Sequence, residues 1–142
     1  MNNLKISINA LERGKQWYMG AIEAFKNERW NDAVYLFQMA IEQATKAILI
    51  LYGIEYPRRH DISEQYRILK QQDIPKWFIK KIDYHADKLK ELANLRGIAA
   101  YGYVDGYKAE DFKTDAIEYK EKVKEIIDDC EKLINEFSKN QT

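Results

Sequence analysis

Trp30-Asn31-Asp32-Ala33-Val34-Tyr35-Leu36-Phe37-Gln38-Met39-Ala40-Ile41-Glu42-Gln43-Ala44-Thr45-Lys46-Ala47-Ile48-Leu49-Ile50-Leu51 reads as one long helix around which the rest of the chain is arranged. Ala33, Phe37, Ala40, Ala44, Ala47 and Leu51 alternate by steps of four and three, the spacing of a helical stripe. Leu36, Ile41, Ile48 and Leu49 extend the apolar surface beyond one stripe, so this helix is expected at the centre of a bundle, and its alanines let a neighbour come close. Asn31 is the expected N-cap and Gly53 the stop.

On the N-terminal side, Ile8, Leu11, Trp17, Tyr18, Ile22 and Phe25 recur at helical steps from about Leu4 to Lys26, with Gly14 and Gly20 weakening the pattern. On the other side, Asp61-Ile62-Ser63-Glu64 resembles a capping box for a short helix to about Gln72. Pro75 opens a fourth helix through Trp77, Ile82, Leu89, Leu92 and Leu95 that is expected to fail near Gly102. Tyr101 to Tyr107 reads as a tyrosine- and glycine-rich loop. Thr114 then caps a last helix through Ile117, Val123, Ile127, Cys130, Ile134 and Phe137. The predicted fold is all-α, five helices forming a single domain over residues 1–142.

The composition agrees with that prediction. At 142 residues, with 46% hydrophobic and 32% charged positions, the chain has the make-up of one globular domain that buries roughly 70% of its surface. The 23 basic and 23 acidic residues cancel, which argues against a whole-molecule electrostatic grip on nucleic acid or membrane. The neutrality hides a gradient: residues 67–96 hold eight Lys/Arg against four acids, and residues 110–132 hold nine acids against five lysines. The basic middle suggests an RNA or nucleotide face, with a solvated helix surface as the alternative. The single cysteine, Cys130, offers no intrachain disulfide, and the longest uninterrupted apolar run, Ala47 to Tyr52, is far short of a membrane span. A cytoplasmic protein without a signal peptide or membrane anchor is the expectation.

Metal and nucleophile chemistry find little support. His60, His85 and Cys130 are isolated in sequence, so neither a metal site nor any cofactor is expected, and Cys130 falls at an apolar helical position where cysteine acts as a buried hydrophobe. Two stretches remain as candidates. Tyr56-Pro57-Arg58-Arg59-His60-Asp61 brings two guanidiniums and an imidazole to a helix start, a setting suited to an anion. Its simpler explanation is structural, with Asp61 as cap and His60 tying the loop to the core. In Leu95-Arg96-Gly97-Ile98-Ala99-Ala100-Tyr101-Gly102-Tyr103, an arginine within an apolar run precedes a tyrosine pair; the simpler explanation places Arg96 near a helix C-terminus or against Asp105.

Arg29-Trp30-Asn31-Asp32-Ala33, then Phe37-Gln38-Met39-Ala40-Ile41-Glu42-Gln43-Ala44-Thr45-Lys46-Ala47-Ile48-Leu49, the Gly53 turn and His60-Asp61-Ile62 together resemble the prokaryotic HEPN domain. The resemblance implies a five-helix, up-and-down bundle that dimerises. In many members it implies a metal-independent ribonuclease toxin partnered by a minimal nucleotidyltransferase, while other members only bind. The catalytic pattern of active members is an arginine, four to six residues, a histidine, and often a tyrosine two residues on. Arg96 matches the arginine, Tyr101 stands at the histidine position, and Tyr103 matches the trailing tyrosine that the partner can adenylylate in some relatives.

The departure at position 101 bears directly on catalysis. Cleavage through a 2′-hydroxyl needs a proton acceptor, and phenols as a class are far poorer bases near neutral pH than imidazoles. Arg96 retains the means to hold a phosphate, so the expectation drawn from the resemblance is a homodimer binding nucleotide or single-stranded RNA through Arg96, Tyr101 and Tyr103; Arg58 and Arg59, from the loop stretch above, are second-tier candidates for the same anion-binding role. Its ribonuclease motif is degenerate, Arg-x4-Tyr in place of Arg-x4-His. The alternative is a non-catalytic module that docks a nucleotidyltransferase partner. Residues five apart on a helix diverge by about 140°, so Arg96 and Tyr101 converge only if the helix ends early at Gly97 or Gly102 or if two protomers contribute. His85 lies about 16 Å before Arg96 along the same helix and does not obviously substitute as the base.

Overall fold

The computed structural model describes residues 2–140. Among these, the chain forms five α-helices and no strand: α1 (Asn3–Lys26), α2 (Trp30–Leu51), α3 (Ser63–Arg67), α4 (Lys76–Tyr101) and α5 (Lys113–Lys139). Short 3₁₀ turns follow α3 at Ile68–Gln71, follow α4 at Gly102–Asp105 and precede α5 at Ala109–Phe112.

The central position expected for α2 is observed. It packs against α1, α4 and α5, and Ala33, Val34, Phe37, Ala40, Ile41, Ala44, Ala47, Ile48 and Leu49 are fully buried. Its length and mean hydropathy would also suffice to cross a membrane, but 67% of that apolar window is buried within the bundle, as in the core helix of a globular domain.

The α1–α2 contact is closer than large side chains would allow. A Cβ on Gly14 would meet Ala44 N at 3.1 Å and Ala40 O at 3.2 Å, so the glycine that weakens the helix pattern is what lets two backbones touch. Ser7 Oγ donates to Ala47 O at 2.8 Å along the same seam. The buried face of α1 is therefore Ser7, Ala10, Leu11, Gly14, Ala21 and Ala24, and Ile8, expected inside, is 39% exposed.

The helix ends differ from expectation at three places. α2 begins at Trp30, with Arg29 and not Asn31 at the cap, because burial of the Trp30 ring edge-on to Phe25 at 5.2 Å carries the helix two residues earlier. Ser63 N donates to Asp61 Oδ1 at 3.0 Å, so Asp61 caps α3 from one position further out than a capping box requires. α5 starts at Lys113, so Thr114 lies inside its first turn; the lead-in is fixed instead by Lys108 N donating to Asp111 Oδ2 at 2.7 Å. Ala116 and Tyr119 occupy the inner face of α5, leaving Ile117 52% exposed.

The stop at Gly53 is as expected. With φ +68°, Gly53 lets its own N–H reach Ile50 O at 3.1 Å and Ile54 N–H reach Leu49 O at 2.9 Å, the paired bonds of a Schellman ending. Beyond α4 the expected open loop is instead a 3₁₀ turn ended by Gly106 at φ +89°. Tyr107 folds back over Gly102 so closely that a Cβ there would lie 3.1 Å from the Tyr107 ring.

Buried polar groups join α3, α4 and α5. His85 Nε2 lies 2.9 Å from Asp129 Oδ2, Lys81 Nζ donates to Asp129 Oδ1 at 2.9 Å, and Tyr66 Oη lies 2.7 Å from His85 Nδ1. An ionised carboxylate only accepts, so Nε2 carries the proton; in the neutral ring Nδ1 then accepts from the Tyr66 hydroxyl. Burial pushes the Asp129 carboxyl up, but bonds from His85 and Lys81 outweigh it and hold the group below its ordinary value.

Candidate functional site

Arg96 sits in the last third of α4 and points across to α2. Its guanidinium carbon lies 4.6 Å from the centroid of the Tyr35 ring, and Nη2 donates to Tyr35 Oη at 2.9 Å. No carboxylate pairs with Arg96 among the described residues, and its Nε is buried without a hydrogen-bond partner. The alternative of an ion pair with Asp105 is thus not realised. A half-buried cation held by a neutral phenol keeps its full charge for a ligand.

Tyr101 and Tyr103 are 66% and 71% exposed, Val104 76% and Ile98 38%, so the end of α4 and the turn after it carry four exposed apolar or aromatic side chains. α4 continues through Gly97, which is exposed and has open space around it, to Tyr101. Of the two stops considered, α4 passes Gly97 and ends at Gly102, as expected, but only after Tyr101, so Arg96 and Tyr101 lie on one continuous helix and their side chains leave it about 140° apart.

Four of the eight cations in the basic middle of the sequence are neutralised by ion pairs. Arg67 bridges Asp83 at 2.5 Å and Asp87 at 2.6 Å, Lys70 bonds Asp83 at 2.8 Å, Lys81 bonds Asp129, and Lys88 pairs with Glu91 at 3.0 Å. Sequence counting could not see that Asp83 and Asp87, two of its four acids, lie one helical turn apart on α4 facing Arg67 on α3.

A second cluster lies at the α2–α3 loop. The buried Glu42 carboxylate receives Lys46 Nζ at 2.7 Å and Gln38 Nε2 at 2.8 Å, and His60 Nδ1 lies 2.6 Å away. Burial alone would raise the Glu42 carboxyl; the bonds from Lys46, Gln38 and His60 outweigh it and hold the group below its ordinary value. His60 thus ties the loop to the core, as its structural explanation requires. Arg58 and Arg59 beside it are exposed, and neither has an ion-pair partner among the described residues. Tyr35, Gln38 and Glu42 follow at steps of three and four, so the contacts to Arg96 and to His60 fall on one face of α2, about 10 Å apart along its axis.

Neither Tyr35 nor Glu42 was identifiable as a site partner from spacing alone. Glu42 carried a signal in being a carboxylate flanked by the core positions Ile41 and Ala44, since a carboxylate at a buried position requires partners; Tyr35 carried none. Among the described residues no three His, Cys, Asp or Glu side chains gather as a metal site would require. Cys130 is fully buried, which raises its thiol above the ordinary value against a smaller opposing effect of Tyr66.

The HEPN domain family model matches residues 9–141. The chain belongs to the HEPN domain family. No curated protein and no solved structure matches it.

Proposed function

We propose that this HEPN protein binds nucleotide or single-stranded RNA as a homodimer, with Arg96 holding phosphate and Tyr101 and Tyr103 offering rings on which bases stack. The observation that carries the reading is Arg96, a cation without a carboxylate partner, in the same segment as two exposed tyrosines. The dimer belongs to the proposal because the unbroken α4 separates Arg96 from Tyr101 within one chain. Arg58 and Arg59 add positive charge at the α2–α3 loop.

The reading assigns binding rather than efficient turnover. Arg96 supplies charge stabilisation, but a phenol at position 101 is a poor acceptor for a ribose 2′-hydroxyl proton. Tyr103, exposed and trailing by two residues, is the proposed modification site. The test is binding of a short fluorescent single-stranded RNA to wild type and Arg96→Ala: weaker binding by the variant supports the assignment, and equal affinity removes it. RNA cleavage gained in Tyr101→His, in chelator, would identify the pattern as a ribonuclease lacking its base.

A second reading is favoured by the apolar character of Ile98, Tyr101, Tyr103 and Val104. Exposed aromatic and aliphatic groups gathered within one short segment suit a docking surface, and a nucleotidyltransferase partner would bury them. Co-purification of such a partner, lost in Tyr103→Asp with Val104→Asp, supports this reading against the first.

A further inference from the structure

A cavity of about 210 Å³ lies where the end of α2, the turn before α4 and the last turns of α5 meet. Tyr52 and Phe137 wall it, with ring centroids 5.7 Å apart and planes nearly perpendicular at 82°. Leu133 lines it as well, and Asp73, Glu136 and Asn140 bring oxygen atoms to it. Pockets for drug-sized ligands run to about 300–1,000 Å³, so this one fits a group the size of a side chain.

Neither Asp73 nor Glu136 has an ion-pair partner among the described residues. Trp77 Nε1 donates to Glu136 Oε2 at 3.0 Å, which fixes that carboxylate in direction without discharging it and leaves Oε1 as an acceptor. Lys132, one turn before Glu136 on α5, rests over the Trp77 ring at 4.3 Å instead of pairing with the acid. Both carboxylates also act on Tyr52: burial first, then the charges of Asp73 and Glu136, push its hydroxyl above the ordinary value. Two acids alone would be a solvated edge. The cavity they share, with two perpendicular rings as walls, gives a single cation a place to sit.

We propose that this cavity binds a primary alkylammonium, the charged end of an aliphatic amine or of a lysine side chain. Aromatic rings attract primary and quaternary ammonium groups alike. The acceptors of Asp73, Glu136 and Asn140 decide between them, because they match the three N–H donors of a primary ammonium, which a quaternary one lacks. The apolar stem of the ligand packs on Phe137 and Leu133, as lysine stems do on apolar surface. Trp77 lies roughly 28 Å before Arg96 along α4, so the site is separate from the RNA reading and stands without it.

The chain has three tryptophans, and their indole N–H resonances read the test by NMR. n-Butylammonium chloride is titrated at constant ionic strength. The Trp77 resonance, which reports on Glu136, is expected to move and saturate, while those of Trp17 and Trp30 stay fixed and report an intact fold. Tetramethylammonium, equal in charge but without an N–H, is expected to reach half-saturation only at a concentration at least about tenfold higher. The same shift is expected for n-butylammonium with Asp73→Asn, a change at an exposed position outside the core. Putrescine and a capped lysine separate the two sources: tighter binding of the diamine assigns a free amine, and tighter binding of the capped lysine assigns a side chain of a partner. A Trp77 resonance that does not move, that drifts without saturating, that answers equally to tetramethylammonium, or that responds equally in Asp73→Asn would overturn the proposal.

Discussion

The Arg96 guanidinium rests against the Tyr35 ring at 4.6 Å and donates to the hydroxyl of the same residue at 2.9 Å. One side chain thus supplies both a π face and an acceptor, which holds the arginine in place without cancelling its charge.

Tyr35→Phe separates the two contributions. It keeps the ring and removes the acceptor, so folding stability is expected to fall by about 1 kcal/mol in urea denaturation. RNA affinity is expected to fall as well, because Arg96 loses the bond that sets its direction.

Two glycines in long helices are expected to respond oppositely to alanine. Gly14→Ala pushes a Cβ against the backbone of α2 at Ala40 and Ala44 and is expected to cost about 1–3 kcal/mol. Gly97→Ala enters open space on the exposed side of α4 and is expected to add about 0.5–1 kcal/mol. Thermal and urea unfolding of both variants check the pair.

Acid stability is expected to depend on Glu42 and Asp129. Both carboxyls lie below their ordinary values in the folded chain, so they bind protons more readily when unfolded. Their stabilisation is present in full above the ordinary carboxylate range and is lost as pH falls through it towards the lowered folded values. Glu42→Gln is expected to cost about 3 kcal/mol at neutral pH and to flatten the fall in stability below about pH 5, measured by urea midpoints across pH.

Cys130 is expected to be unreactive in the native protein. The thiol is fully buried and raised above its ordinary value, so a disulfide reagent is expected to modify it only as fast as the bundle opens. Rapid native modification would contradict the buried position.

Helix order and the central place of α2 were legible because the apolar spacing from Ala33 to Leu51 admits one reading, and Gly53 and Pro75 mark joints by backbone chemistry. The inner faces of α1 and α5 were read less well. Ile8 and Ile117 attract attention as large apolar residues, but the α1–α2 contact is made by small ones, and packing distance is invisible in a hydropathy pattern. The cap positions at Asn31 and Thr114 were overridden by the tertiary contacts of Trp30 and by the Asp111 turn. At the candidate site, the stretch Arg96 to Tyr103 stood out by residue type and its proposed role came from the resemblance to the HEPN domain, whereas Tyr35 and Glu42 lie distant in sequence and meet their partners only in the folded chain.

Tyr66, His85, Asp129 and Lys81 have a consequence for how the bundle chooses among its own near-copies. Aliphatic neighbours such as Ile126 and Leu133 tolerate being exchanged for one another, but turning α5 by a single residue swings Asp129 through about 100° and strands a dry imidazole. The polar chain therefore works as a key with one cut: it admits a single rotational setting of three helices where oily contacts alone would accept several.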